Sequence, residues 1–228
     1  MYNSTMNNSL TALFLAGDRY HDPRDAFEGV APILVGLGVG VETTTDPAHL
    51  DREALVGKSL LVLHRDGMEF SSGFEQPPLH WMQPHQEEAV EEFVRGGGNL
   101  LALHNSAWDY PWDGPYRRVL GGYYLTHPPL AKFQVRVVQK DHPVTHGVEN
   151  YAVEDEQHWL WFDYDRVTLL LTNHGQDGRQ SAAGWAYEYG LGRVVFLANG
   201  HTAAAHRHPE FMKLKYNAAR WMLRLAED

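Results

Sequence analysis

Four histidines follow short apolar segments of the chain and could form one reactive cluster. They are His21, His64, His104 and His201. If the apolar segments are strands of an open parallel sheet, their carboxyl ends meet at one edge, which is where such sheets bind ligands. Imidazole titrates near neutral pH and binds divalent metals, so this placement predicts acid–base or metal chemistry. Histidines that merely occupy turns are the alternative interpretation.

His104 stands at the most informative of these positions. It ends the apolar segment NLLAL and precedes the small polar turn Asn105-Ser106-Ala107. In many α/β enzymes this place holds a nucleophile on a tight strand-to-helix elbow. The chain contains no cysteine and no G-x-S-x-G, so a thiol nucleophile is excluded and a serine elbow is disfavoured. Ser106 still allows a serine hydrolase as a further alternative.

An acidic triplet precedes another histidine. Glu154, Asp155 and Glu156 stand just before His158, within a strand predicted over residues 153–160. Alternate residues of a strand face opposite sides, so Glu154 and Glu156 would share one face. A carboxylate beside an imidazole serves general acid–base catalysis and also binds metals. A solvated acidic edge is the alternative.

Two further groups of side chains are ambiguous from the sequence. His206 and His208 form an H-x-H pair that could bind a metal, but next to a proline at a helix start it is expected at the surface. Aromatic residues cluster after His104, and their apolar faces and polar edges suit sugar rings as well as any core. They are Trp108, Tyr110, Trp112, Tyr116, Tyr123 and Tyr124.

Composition narrows the function classes. The chain has 228 residues, 14 histidines, no cysteine and a formal net charge of −10. Without cysteine there is no disulfide framework, no Cys-ligated zinc and no iron–sulfur cluster. An acidic chain without a Lys/Arg cluster argues against nucleic acid and membrane partners. Residues 1–9 are polar and lack the features of a signal peptide, so we expect a disordered tail on a cytoplasmic protein.

The first half of the chain alternates strands with helices. Strands are predicted at residues 11–17, 39–45, 60–63 and 99–103, and helices at 23–37 and 84–95. Pro32 should bend or break the first helix, because proline lacks the amide proton that the helix needs. This alternation predicts a parallel sheet with helices on both faces.

The second half changes to strands joined by short turns. They are predicted at residues 133–139, 153–160, 167–173, 184–189 and 193–198, followed by a helix at 209–225. The sequence Tyr-Gly-Leu-Gly at 189–192 predicts a hairpin turn. The loop 66–83 is long and rich in Gly, Ser and Pro, which is typical of functional loops. No linker interrupts the chain, so residues 1–228 are interpreted as a single α/β domain.

Several motifs in a consistent order resemble the ThuA-like (trehalose-utilisation) family of the class I glutamine amidotransferase-like superfamily. The resemblance implies a flavodoxin-like, mostly parallel sheet with helices on both faces and added antiparallel strands. It marks His104, His127, Glu156 and His201 as catalytic positions. Since His104 replaces the elbow cysteine of the glutaminases, glutamine hydrolysis is excluded. The motifs are GGGNLLALHNSAWD (96–109), GGYYLTHP (121–128), DHPVTHGV (141–148), VEDEQHW (153–159) and GWAYEYGLGRVVFLANGHT (184–202).

The resemblance further implies disaccharide catabolism, including work on 3-keto sugars. A 3-keto group acidifies the C2 proton, so a base can remove it and expel the C1 substituent before water adds. His104 or Glu156 would be the base, while His127 and His201 would polarise the carbonyl directly or through Zn²⁺, Mn²⁺ or Fe²⁺. The residues expected to bind the sugar are His21, His64, Trp108, Tyr124 and Trp159.

A binding protein is the second hypothesis for the chain. In that case the elbow has lost its nucleophile and the pocket only holds a carbohydrate or a partner protein. His158 stands in VEDEQHW where the family more usually has an aromatic residue such as Tyr, so the substrate could also differ. The expected partner is a small sugar, and a homodimer is the commonest assembly of such proteins.

Overall fold

A mixed sheet of nine strands organises the computed structural model, which describes residues 9–70 and 78–226. The strands in chain order are β1 (Thr11–Ala16), β2 (Gly40–Thr44), β3 (Leu60–His64), β4 (Met68–Glu69), β5 (Leu79–His80), β6 (Asn99–Leu103), β7 (Gly122–Thr126), β8 (Ala131–Val137), β9 (Tyr151–Asp155), β10 (Trp159–Phe162), β11 (Thr168–His174), β12 (Gln180–Tyr189) and β13 (Gly192–Leu197). The helices are α1 (Pro23–Gly36), α2 (Arg52–Leu55), α3 (Pro84–Arg95), α4 (Pro115–Leu120), α5 (Ala203–His206) and α6 (Pro209–Met222).

The strand order of the main sheet is β9-β8-β11-β12-β13-β6-β3-β1-β2. From β13 to β2 neighbouring strands are parallel, and the other four extend the sheet in antiparallel pairs. Every residue of β3 and β6 is buried, which explains why both strands are nearly continuous apolar runs. The predicted α/β fold with added antiparallel strands is confirmed.

The order in which strands are added to the sheet reverses at β1. This strand pairs with β2 on one side and with β3 on the other, so the connections leave β1 towards opposite edges of the sheet. Such a reversal leaves a crevice beyond the carboxyl ends of the strands. The loops that follow β1, β3, β6 and β13 therefore face one another, as the histidine positions predict.

Helix α1 differs from the prediction at one residue. It begins after Asp22, whose side chain accepts a hydrogen bond from the Arg24 amide, with Pro23 in its first turn. Pro32 lies inside α1, yet the helix continues through it to Gly36, so of the predicted bend or break the break is wrong and the bend stays a prediction. Pro32 and Glu28, whose carbonyl loses its amide partner, are both exposed, and water can therefore solvate that carbonyl. Helix α3 has the predicted bounds.

The single strand predicted over residues 153–160 is wrong. The structure has two strands there: β9 ends at Asp155 and pairs with β8, whereas β10 begins at Trp159 and pairs with β7. The Asp155 carboxylate accepts hydrogen bonds from the amides of Glu156, Gly200 and His201, and these contacts turn the chain out of the sheet. Glu156 therefore lies between strands and shares no strand face with Glu154. The predicted 189–192 hairpin turn is confirmed.

Part of the predicted 66–83 loop is ordered as a small ribbon. Strands β4 and β5 pair with each other across it, and residues 71–77 lie outside the described residues. Residues 1–8, which include most of the predicted tail, also lie outside them. Within residues 9–70 and 78–226, no helix is both long enough and apolar enough to cross a membrane.

Candidate active site

Four side chains from distant parts of the chain meet at the carboxyl edge of the sheet. His21 follows β1, His104 follows β6, Glu156 follows β9 and His201 follows β13. One ligand atom of each residue lies within 4.8 Å of those of the other three. The sheet topology thus brings together three of the four histidines that the sequence placed at strand ends, and adds one carboxylate.

His104 occupies a strained backbone position at the centre of this cluster. Its φ angle is 47°, in the left-handed region that a residue with a Cβ rarely adopts, and its side chain is fully buried. The ring Nδ1 lies 2.8 Å from the Ala198 carbonyl oxygen. Since a carbonyl only accepts, Nδ1 carries the proton, so Nε2 is the nitrogen that faces Glu156 and can hold either a second proton or a metal ion. The elbow predicted at residue 104 is present.

The carboxylate of Glu156 lies among four imidazole rings. Its Oε2 is 3.3 Å from His201 Nδ1, 3.5 Å from both His104 Nε2 and His158 Nε2, and 3.7 Å from His127 Nε2. Burial opposes ionisation of this carboxyl, but His104, His158 and His201 outweigh it and hold the pKa of Glu156 well below its usual range. The carboxylate in turn raises the pKa of His201. The centre of the site is therefore one anion surrounded by nitrogen ligands.

A cavity of about 510 Å³ opens above this cluster. Three aromatic rings form one wall, with ring centres 6.0 Å apart for Tyr20 and Trp108 and 5.8 Å apart for Trp108 and Tyr124. The volume is in the range of small-molecule sites, and the mixture of aromatic faces with a few convergent polar groups is typical of them. The other lining residues are His21, Asn105, His127, Glu156, His158 and His201.

Two residues predicted to bind the sugar are not brought to the cavity. His64 is buried beneath the cluster, where its Nε2 donates to the Gly200 carbonyl at 3.0 Å and its ring lies 6.0 Å from that of His104. Trp159 lies outside the cavity lining, with the Arg179 guanidinium 4.7 Å from its ring. His64 therefore packs beneath the cluster, and Trp159 packs against Arg179 outside the cavity. Trp108 and Tyr124 do line the cavity.

The serine alternative also loses its support. Ser106 is fully buried and does not line the cavity, so its hydroxyl is out of reach of a ligand there. Its main-chain carbonyl instead accepts a hydrogen bond from Tyr116. His206, expected at the surface, is likewise fully buried. A Cβ at Gly29 or at Gly200 would lie within 3.0 Å of its ring, so these glycines make room for the imidazole.

Several site residues escaped the sequence reasoning. His158 is 3% exposed, and its ring stacks on that of His104 at 4.1 Å. Asp155 joins the Glu156 and His201 backbones, and Asn105 lines the cavity. The one available signal was the position of His158 and Asp155 inside VEDEQHW, beside Glu156. Nothing in the local pattern distinguishes a residue that supports a site from one that packs elsewhere.

Asp66 adds a pH-dependent contribution to stability beneath the site. Burial, together with the nearby Asp18 carboxylate, raises the pKa of Asp66 to about 7. The folded protein therefore binds this proton more tightly than the unfolded chain, and the free energy of unfolding falls as pH rises from about 4 to about 7. Asp66→Asn should abolish this fall, so its stability relative to wild type should increase by a few kcal/mol (roughly 1.4 per pKa unit) across that range.

Urea unfolding near pH 5 and near pH 8 measures this difference. Glu69→Gln is the control, because Glu69 is exposed three residues away and should show no such change. A stability difference between Asp66→Asn and wild type that is the same at both pH values would contradict the assignment.

Comparison with known proteins decides the family. A family model described as ThuA, trehalose utilisation, matches residues 11–222. The chain belongs to the ThuA family. Among curated proteins none matches the sequence significantly.

Solved structures resemble this ThuA-family chain at low sequence identity. A ThuA-like protein from Bacteroides uniformis is 17% identical, covering 94% of this chain and 91% of its own, with a TM-score of 0.72. A ThuA-like protein from Parabacteroides merdae is 15% identical, covering 94% and 90%, with a TM-score of 0.74. A cytoplasmic protein from Salmonella typhimurium is 14% identical, covering 93% and 99%, with a TM-score of 0.67. These likenesses show the fold.

The four converging residues fit a divalent metal ion. Ligand atoms about 2.0–2.1 Å from a tetrahedral zinc ion are about 3.4 Å apart. Glu156 Oε2 is 3.3 Å from His201 Nδ1 and 3.5 Å from His104 Nε2. The buried His104 Nε2 also has no hydrogen-bond partner among the described residues, which is the state of a nitrogen ready to bind a metal. Three imidazoles and one carboxylate suit Zn²⁺, Mn²⁺ or Fe²⁺.

Proposed function

We propose that this ThuA-family chain is an enzyme that cleaves a 3-keto-glycoside by proton abstraction at C2. The observation that carries the proposal is the convergence of Glu156 and its surrounding imidazoles beneath a cavity with an aromatic wall. Sugar rings pack on aromatic faces, and proton abstraction beside a ketone needs a base together with positive charge near the developing oxyanion.

His21, His104, His201 and Glu156 would hold a divalent metal in this proposal. A bound metal would supply Lewis acidity, which stabilises negative charge on a ketone oxygen. The residues themselves orient the site: the Ala198 carbonyl fixes His104, and the Asp155 carboxylate fixes the backbones of Glu156 and His201. A side chain that holds the metal is not free to act as the base. In this proposal neither Glu156 nor His104 therefore removes the C2 proton.

His127 is the residue best placed to move the proton. Its Nδ1 donates to the Pro128 carbonyl at 2.8 Å, so the neutral ring keeps a lone pair on Nε2, which faces Glu156 at 3.7 Å within the cavity. One third of its side chain is exposed, unlike the buried His104 and His158. His127 would take the C2 proton, the electron pair of that C–H bond would form a C1–C2 double bond as the C1–oxygen bond breaks, and protonated His127 would give its proton to the leaving alkoxide. Water would then add at C1, its proton would pass to His127, and His127 would return a proton to C2.

Exchange of the C2 proton tests the reaction most directly. We expect purified protein to contain a divalent metal, to convert a 3-keto-disaccharide into its two sugars, and to incorporate deuterium at C2 in D₂O. The parent disaccharide without the keto group should not react. Absence of both turnover and exchange with a metal-loaded protein would contradict the proposal. Binding of the sugar without exchange would favour the alternative of a carbohydrate-binding protein.

The cellular setting is also a proposal. The Salmonella structure is that of a protein described as cytoplasmic, and we propose the same compartment for this chain. The expected partner is a small keto-sugar. The homodimer expected from the sequence stays a prediction.

A further inference from the structure

A buried carboxylate lies behind the cluster and belongs to none of the groups assigned so far. Asp18 follows β1, and its side chain is 1% exposed. Its Oδ1 accepts hydrogen bonds from the amides of Tyr20 (2.8 Å) and His21 (3.1 Å) and from the His21 ring. Its Oδ2 accepts from the Asp66 amide at 3.2 Å and from the side-chain amide of Asn105. One carboxylate thus joins the loops after β1, β3 and β6.

The contact with His21 determines the tautomer of that ring. His21 Nδ1 lies 2.7 Å from Asp18 Oδ1 and 3.0 Å from the Asn105 side-chain nitrogen. Because an ionised carboxylate only accepts, the shorter contact puts the proton on Nδ1, and the Asn105 NH₂ group then donates to Asp18 rather than to the ring. In a neutral imidazole the other nitrogen then presents its lone pair. His21 Nε2 lies 3.1 Å from His201 Nδ1, on the side of the cluster. The opposite tautomer would direct an N–H into the cluster, where it could not bind a metal.

The contact with Asn105 determines the orientation of a side-chain amide. The Asn105 NH₂ group donates to Asp18, so its carbonyl oxygen must lie on the other side. Asn105 lines the cavity next to His104, and its side chain is held in one of the two orientations that the planar amide allows. Both consequences come from the same carboxylate, which presents acceptors only.

We propose that Asp18 is a positioning residue that holds the His21 Nε2 lone pair and the Asn105 amide in their working orientations. Carboxylates that hydrogen-bond a metal-binding histidine commonly act this way, and their loss costs about 10–100-fold in metal affinity. The consequence for metal affinity rests on the proposed function, whereas the His21 tautomer can be measured without any metal. The chain also supplies a matched carboxylate for comparison. Asp22 lies in the same loop, its side chain is 43% exposed, and within residues 9–70 and 78–226 that side chain bonds Arg24 alone.

Histidine ¹⁵N NMR on the metal-free wild-type protein is the first measurement. The His21 signals, identified by their loss in His21→Gln, should show a protonated Nδ1 and an unprotonated Nε2. The Asp18→Asn substitution keeps the shape of the side chain but removes its charge and one acceptor. In this variant a substantial fraction of His21 should carry its proton on Nε2 instead of Nδ1. Asp22→Asn should leave the wild-type tautomer. A wild-type His21 protonated on Nε2 would overturn the inference, whether or not Asp18→Asn folds.

Calorimetric titration with ZnCl₂ after removal of bound metal is the second measurement. Asp18→Asn should bind Zn²⁺ about 10–100-fold more weakly than wild type, and Asp22→Asn should bind it equally well. A folded Asp18→Asn protein with wild-type Zn²⁺ affinity and an unchanged His21 tautomer would overturn the inference. If wild type binds no divalent metal while the tautomer still depends on Asp18, the metal part of the proposed function fails and the positioning role stands.

Discussion

Glu156→Gln is expected to reduce turnover of a 3-keto-disaccharide by roughly 10³-fold and to weaken divalent-metal binding strongly. The substitution keeps the size of the side chain but removes the negative charge that lies within 3.7 Å of His104, His127, His158 and His201. The remaining amide oxygen is a weak metal ligand. Since Glu156 also raises the pKa of His201, that imidazole should titrate at a lower pH in the variant.

Glu154→Gln is the matched control for this substitution. Glu154 precedes Glu156 by two residues, but it is exposed on β9 and does not line the cavity. The Glu154→Gln substitution should leave turnover, metal content and the pH at which His201 titrates unchanged. Steady-state kinetics, elemental analysis and histidine NMR measure the three quantities. A Glu156→Gln protein with wild-type metal content and turnover would contradict the proposed centre.

Lys215→Met is expected to remove a large pH dependence of stability. Lys215 is 1% exposed in α6, and its ammonium group donates to the carbonyls of Gly29 (2.6 Å) and His206 (2.8 Å). Burial lowers the pKa of Lys215 to about 7. Between this value and the unfolded value of 10.5, the unfolded chain binds the proton and the folded protein does not. The free energy of unfolding contributed by Lys215 therefore rises with pH across this window, by on the order of 3–5 kcal/mol.

The Met variant keeps most of the side-chain volume but has no proton to lose. Its stability relative to wild type should therefore be higher near pH 6.5 than near pH 9.5, where wild type retains two hydrogen bonds without the cost of a buried charge. Urea unfolding at the two pH values measures the difference. Lys213→Met is the control, because Lys213 is partly exposed and pairs with Glu210. If Lys215→Met changes the stability equally at both pH values, burial does not lower the pKa of the Lys215 amine.

The position of Lys215 also bears on the site. Its ammonium group holds the carbonyl end of α5 against α1, and the His206 ring packs between Gly29 and Gly200. Gly200 adjoins His201, and its carbonyl accepts a hydrogen bond from His64. His64 and His206 do not line the cavity, and they therefore support the loop that carries His201. They are buried beneath the site rather than scattered over the surface.

Parts of the site could be predicted because they depend on local pattern. The apolar segment before His104 predicts a buried strand, and the small polar turn after it predicts an elbow, whose positive φ the structure shows. The sequence could not predict in the same way which of the two glutamates supplies the carboxylate of the site. Glu154 and Glu156 are equivalent in an alternating strand, and they differ because the Asp155 carboxylate takes three amide protons and ends β9. Two of those amides come from residues far along the chain.

By itself the sequence determines the parallel strands, and with them the edge at which His21, His104 and His201 stand, because apolar runs and their turn residues act over a few neighbouring positions. Only the tertiary structure decides which side chains meet at that edge. The contact between His21 and His201 joins residues 180 positions apart, and it exists because β13 pairs with β6 and so joins the parallel part of the sheet that contains β1. The carboxylates of Asp18 and Asp155 acquire their roles in the same way, from the amides and rings that the strand order places around them.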